Sequence, residues 1–260
     1  MNLLCGRKIE KTDKTRKIFL SLPYIRKLCI MEIGMQYGRN EKMRGKKIGI
    51  QFLLLLFLTA GTAFSQTLAL KADIGVCACW DAVGLNMYEV YGIKVGTFSM
   101  IMHIVCVLVQ LAVQRKTFNI WKFLQIPYVI IFGSFLNFFY YDVLTFELQS
   151  YVVKFAFVIL AYLGLALFLG PLLLLNLVNM PSEAMCVVLS GKYEIDYAKI
   201  RVGLDAVCIA ASLVLSFFGG VSLKVREGTI IGMLMLGPLE KVSMNFFRPY
   251  IKKLKGEEKE

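Results

Sequence analysis

Four stretches of this sequence carry no charged side chain: 48–70, 95–114, 123–141 and 155–182. A helix needs about 20 mainly apolar residues to cross the hydrocarbon core of a bilayer, and each stretch supplies enough or nearly so. Two more follow with few charges, 202–223 with only Asp205 and 228–247 with Glu240 and Lys241 near its end. The pattern predicts an all-α polytopic membrane protein with spans at about 48–70, 95–114, 123–141, 155–178, 202–223 and 228–247. A chain that is 57 % apolar and yet carries a net charge of +12 is oily where it crosses lipid and charged where it leaves it.

The charges set an expected topology. Residues 1–47 hold thirteen Lys and Arg against four acids, which makes 1–46 a basic extension on the cytoplasmic side of the first span. Within it, Lys17–Met31 mixes basic and apolar residues and suits an anionic lipid surface, although Pro23 interrupts it. Met31, Met35 and Met43 each offer a start nearer the first span. Lys47–Gln66 also imitates a secretory signal, but a chain that stays in the membrane reads it as a retained first helix. Arg115, Lys116 and Lys122 place the loop after the second span inside, whereas Asp142 and Glu147 place the next one outside. The tail 249–260, preceded by Arg248, carries Lys252, Lys253 and Lys255 and favours inside, hence an even number of spans. Lys224 and Arg226 on the outer side argue the other way. Six spans are predicted, with five as the alternative.

The stretch between the first two spans, Lys71–Thr97, is polar and apolar by turns, and its spacing recurs in Asn179–Leu204. Ile93-Lys94-Val95-Gly96 matches Ile200-Arg201-Val202-Gly203, each beginning a span and each following an acid, Asp81 or Glu183. Gln125, eight residues before Gly133, matches Thr229, eight before Gly237. The unit is therefore span, polar passage, span, span, twice over. Three spans are an odd number, so the second unit enters the membrane upside down, the inverted plan of many secondary transporters.

KADIGV followed by WDA, then GIKVGTFSM, and VREGTIIGMLMLGPLEK resemble the YczE/YyaS/YitT group of bacterial integral membrane proteins over about Gly45–Lys253. The resemblance implies a multi-pass protein of the bacterial plasma membrane without an assigned activity, and it carries no catalytic residues with it. That group usually has Ser-Pro before Trp-Asp, where this chain has Ala78-Cys79. The second half keeps a proline, Pro181, before Ser182-Glu183.

Several residues are candidates for chemistry. Trp80, Val83, Met87, Val90 and Tyr91 share a helical face, so 80–91 reads as a short amphipathic helix. It either lies at the interface with Trp80 and Tyr91 as anchors or re-enters the bundle as a gate over a cavity. Asp205, about a turn inside a span, needs a partner, and Arg201 four residues earlier is the obvious one. The pair is either an interfacial salt bridge or a place for proton or cation coupling. His103 sits mid-span as a buried hydrogen-bonding group or a proton relay, and Asn137 is the polar residue closing the third span. Glu240 and Lys241 read as side chains that snorkel to the surface. Cys77-Ala-Cys79 lacks a second ligand pair and does not make a metal site. The seven cysteines follow no disulfide framework.

Small residues line the last three spans: Gly164 with Ala161 and Gly170, Ala206 with Ala210, and Gly228 with Gly232. They suit close helix packing within the bundle or in a homodimer. No nucleotide loop, nucleophile elbow or hydrolytic carboxylate pair is present, so an enzyme is not expected, nor is a cofactor. The basic balance reflects topology, and nucleic acid is not an expected partner. The expected function is a small secondary transporter or permease binding a small solute or ion among Asp81, Lys94, Glu183, Arg201 and Asp205. The alternative is a scaffold that holds a partner protein through its helices.

Overall fold

The computed structural model describes residues 45–75 and 79–255. The basic extension, the Cys77-Ala-Cys79 side chains and the last five residues lie outside the described residues. Eight helices follow in order: α1 Gly45–Ala72, α2 Cys79–Tyr91, α3 Val95–Gln114, α4 Gln125–Asn137, α5 Tyr151–Leu175, α6 Pro181–Tyr193, α7 Tyr197–Gly219 and α8 Glu227–Lys255. α4 is preceded by a tight helical turn, Ile120–Leu124, and runs on into a π-helical segment, Phe138–Val143. Six stretches are long and apolar enough to cross a membrane: 49–72, 95–114, 120–143, 151–175, 199–219 and 227–255. The sixth span is therefore present, and the five-span alternative falls away. The fourth ends at Leu175 because Asn176 turns the chain with a φ of 47°.

A span, a thirteen-residue helix and two further spans follow one another in α1–α4, and the same order of elements is found in α5–α8. The helix ends repeat too. α1 and α5 are each followed by a residue of positive φ, Asp73 (50°) and Asn176 (47°). α2 and α6 are followed by Gly92 (69°) and Glu194 (55°), and α3 and α7 by Arg115 (43°) and Gly220 (63°).

Packing repeats by exchange. Gly61 on α1 lies under the ring of Phe168 on α5, and Gly164 on α5 lies under Ser65 on α1. Leu55 and Leu58, early in α1, share a cluster with Leu172 and Leu175, late in α5, whereas Ala72 at the end of α1 meets Val158 near the start of α5. The two first spans thus run antiparallel, with small residues letting the backbones approach where lipid supplies little drive. α2 packs on α7 while α6 packs on α3, and α2 packs on α3 while α6 packs on α7. α8 packs along α5, and the matching contact in the other half joins Tyr128 and Val129 of α4 to Leu55 and Leu58 of α1.

One end of the bundle is tied by ions. The Lys224 ammonium, before α8, lies 2.6 Å from Glu89 on α2 and 3.3 Å from Asp73 after α1. Arg226 donates to the Asp73 carbonyl, and the Gly228 N–H to the Ile74 carbonyl. Lys224 and Arg226, which counted against an outer location, are occupied in bonding within the protein.

Candidate functional site

The site is built where the two short helices begin. α6 starts with Pro181 at its first position, where the missing N–H costs nothing and the fixed φ suits the helix. Its third residue is Glu183, followed by Ala184. The third residue of α2 is Asp81, followed by Ala82. An acid in the first turn complements the free N–H groups and the positive end of the helix dipole.

Contacts along α2 fix its depth. Trp80 clusters with Cys106 at the middle of α3 and Cys208 at the middle of α7, and its ring stacks on His103 with centroids 6.3 Å apart. Further along, the Asn86 amide donates to the Ser212 carbonyl and hydroxyl at 2.8 Å each, and Val90 covers Gly219 at the end of α7. Gly84 faces Val95 and Phe98 at the start of α3. α2 therefore begins halfway down two spanning helices and rises parallel to α7 and antiparallel to α3. α6 does the same from the opposite end: Met185 joins the Trp80 cluster, and the Lys192 ammonium donates to the Val113 carbonyl at the end of α3. This corrects the interfacial reading of residues 80–91: of the two aromatic anchors, Trp80 is buried in the protein and Tyr91 alone is exposed. Tryptophan near a helix start resembles a membrane belt until its neighbours are known.

The structure gathers charge at the α6 end. Arg201 on α7 lies 3.6 Å from Asp205, one turn on. Its guanidinium also acts electrostatically on Glu183 of α6 and Glu240 of α8, and on His103 and Cys186. Glu240 is half-buried within electrostatic reach of Glu183 and Arg201, whereas Lys241 is exposed. Asp205 pairs with the guanidinium directly, and the Glu183 and Glu240 carboxyls lie within its electrostatic reach. Burial pushes the Glu183 carboxyl above its ordinary value, and Arg201 pulls it partly back. His103 Nδ1 sits 2.7 Å from the Ser99 carbonyl, which can only accept, so Nδ1 carries the proton.

In the other half, both oxygens of the buried Asp81 accept from Gln66 Nε2, at 2.8 and 2.9 Å. Lys94 is exposed with its ammonium over the Tyr141 ring, and Asn137 binds the start of α3, accepting the Gly96 N–H at 2.8 Å and donating to the Thr97 hydroxyl at 3.1 Å. Of the sequence candidates, Glu183, Arg201 and Asp205 come together with His103 at their edge. Asp81 turns to α1, and Lys94 and Asn137 hold α3 on α4.

Sequence reasoning passed over Gln66, Asn86 and Gln110. Gln110 is fully buried and donates to Gln125 and to the Pro181 carbonyl, and a lone amide in an apolar run was the available signal. Trp80 Nε1 at the start of α2, Asn86 Oδ1 midway along it and Gln110 Oε1 in the last turns of α3 are buried without a hydrogen-bond partner. Unmet polar atoms there suit water or a polar solute. Among the described residues no three His, Cys, Asp or Glu side chains are placed to hold a metal ion.

No curated protein and no solved structure matches the chain. The family model described as a family of unknown function, DUF6198, matches residues 46–245, which takes in all of α2–α7 and nearly all of α1, and so the chain belongs to that family.

Proposed function

We propose that the protein is a small secondary transporter or permease made of two inverted three-span halves, taking a cation or a positively charged solute where α2 and α6 begin. The observation that carries this reading is the pair of half-helices starting at mid-depth from opposite ends, each with an acid as its third residue. Interrupted helices that end at the midplane between two repeats are the usual way such folds make a site. The antiparallel α1–α5 contact and the exchanged packing support the inverted relation. The excess of carboxylates over guanidinium favours a cation or proton over an anion. The likeness to the YczE/YyaS/YitT group and the charge pattern favour a bacterial plasma membrane with the N-terminus inside.

The test is purified protein in sealed vesicles on a sensing electrode, stepped in pH and then through sodium, potassium and small organic cations. The reading expects a current for at least one step that Asp205→Asn removes. Currents equal to those of empty vesicles throughout would overturn it. A second reading, a scaffold for a partner protein, is favoured by the uncovered faces of α7 and α8, where only 11 % and 12 % of the most apolar stretch is buried. A partner that stays bound through detergent purification and is lost with Val207→Trp would decide for it.

A further inference from the structure

The two halves agree in every helix pairing described above except one. α3 packs tightly on α4, but among the described residues no comparable packing joins α7 to α8.

The difference is sharpest at the matched glycines. In the first half a Cβ on Gly96 would run into the Gly133 carbonyl oxygen, and a Cβ on Gly133 would lie 2.7 Å from the Gly96 oxygen, so the two backbones touch. Asn137 and Tyr141 close this junction, receiving the N–H groups of Gly96 and Val95. Gly203 and Gly237 are the counterparts by the sequence match, and neither has anything within 4 Å of where a Cβ would stand. Both are exposed, and so are Val202, Val207 and Leu234 beside them. Glycine loses much conformational entropy in a helix interior and is retained there where a backbone comes close. In the first half that backbone is present, and in the second it is not.

We propose that α7 and α8 are a gate caught open, which closes by bringing Gly203 onto Gly237 as Gly96 lies on Gly133, while the α3–α4 junction parts in exchange. The gate rests on the two-halves reading above. Its position gives it a purpose: Arg201 and Asp205 flank Gly203 on α7, and Glu240 lies a turn beyond Gly237 on α8. In the present structure the Arg201–Asp205 pair is half-buried, and closing would cover it fully. The same two-state element presents the centre of the protein alternately to its two ends, because the halves enter from opposite sides.

The gate makes one geometric demand. In the closed state Leu204 and Lys241 take the places that Thr97 and Asn137 hold in the first half, where their side chains are hydrogen-bonded at 3.1 Å. Leu204→Cys with Lys241→Cys, in a chain whose seven native cysteines are replaced, should cross-link within one molecule under a mild oxidant in membranes. The readout is protection of both thiols from a polyethylene-glycol maleimide. Gly237→Val has open space in the present structure and should leave folding intact while lowering that yield about tenfold, since it blocks only the closed state. Gly96→Ala, which crowds the α3–α4 junction, should raise it. If the cysteine-free chain does not fold, benzoylphenylalanine in place of Leu204 in the otherwise native protein should cross-link to the peptide around Lys241, read by mass spectrometry.

Absence of both cross-links overturns the gate, as does a yield indifferent to Gly237→Val. Cross-linking between two molecules, seen as a doubled mass, also overturns it and assigns the uncovered face to a second copy. Vesicle currents without any cross-link would leave the transporter reading standing and remove the gate alone.

Discussion

The Lys224 ammonium is buried and lies 2.6 Å from the Glu89 carboxylate. It joins the end of α2 to the chain entering α8, and Asp73 at 3.3 Å adds the end of α1. Removing the cation alone leaves two carboxylates facing each other. Lys224→Met should therefore destabilise by about 1–2 kcal/mol, less than for a fully buried pair because both acids are partly exposed. Adding Glu89→Gln should recover part of the loss. Thermal unfolding in detergent reads both, and a double variant no better than the single would show that the pair is not coupled.

Trp80 separates packing from hydrogen bonding. Its ring fills the cluster around Cys106, Met185 and Cys208, so Trp80→Ala should cost about 3–5 kcal/mol through the cavity it leaves. Trp80→Phe keeps most of the ring and discards a buried N–H that has no partner. Its cost should stay below about 1.5 kcal/mol. If the vesicle currents exist, Trp80→Phe is expected to weaken them more than it weakens the fold.

Glu183 predicts a pH slope. Burial raises its carboxyl above the ordinary 4.5, so over the interval above that value the folded protein holds a proton that the unfolded chain has released. Stability contributed by the neutral acid is complete below 4.5 and is lost as the pH climbs through the raised value. Melting temperature should fall across that interval in the native protein, and Glu183→Gln should flatten the fall. Arg201→Gln, which takes away the charge that lowers the carboxyl, should carry the slope to higher pH.

Asn137 and its counterpart Lys241 should differ. Asn137 accepts the Gly96 N–H and donates to Thr97, so Asn137→Ala should cost about 1–2 kcal/mol. Lys241 is exposed on α8, and Lys241→Ala should stay within about 0.5 kcal/mol. Equal losses in a melting experiment would mean that α7 and α8 are already joined in the membrane.

The spans were legible because the cost of a charge in lipid writes itself into the sequence as uncharged runs of fixed length. The pairing of Arg201 with Asp205 was legible for a similar reason, four residues being one helical turn. Depth was not. Trp80 and Tyr91 present the same aromatic, amphipathic signal to a reader of the sequence, yet the first is in the core and the second at the surface, because a short helix can enter a bundle or lie upon it with the same face pattern. That no packing comparable to α3–α4 joins α7 to α8 among the described residues left no mark in the sequence, since Gly203 and Gly237 are glycines whether or not a neighbour is present.

The positive-φ helix ends bear on how kinship between the halves should be weighed. Glycine stands at one member of two pairs, Gly92 against Glu194 and Gly220 against Arg115, and at neither member of the third, Asp73 against Asn176. Not one of the three pairs shares a letter, yet each shares a sign of rotation about the backbone, and an ordinary side chain meets a steric penalty in holding it. Aligning letters therefore undercounts the likeness between the two parts of this chain. The letters at such places can differ while the turn of the backbone stays the same.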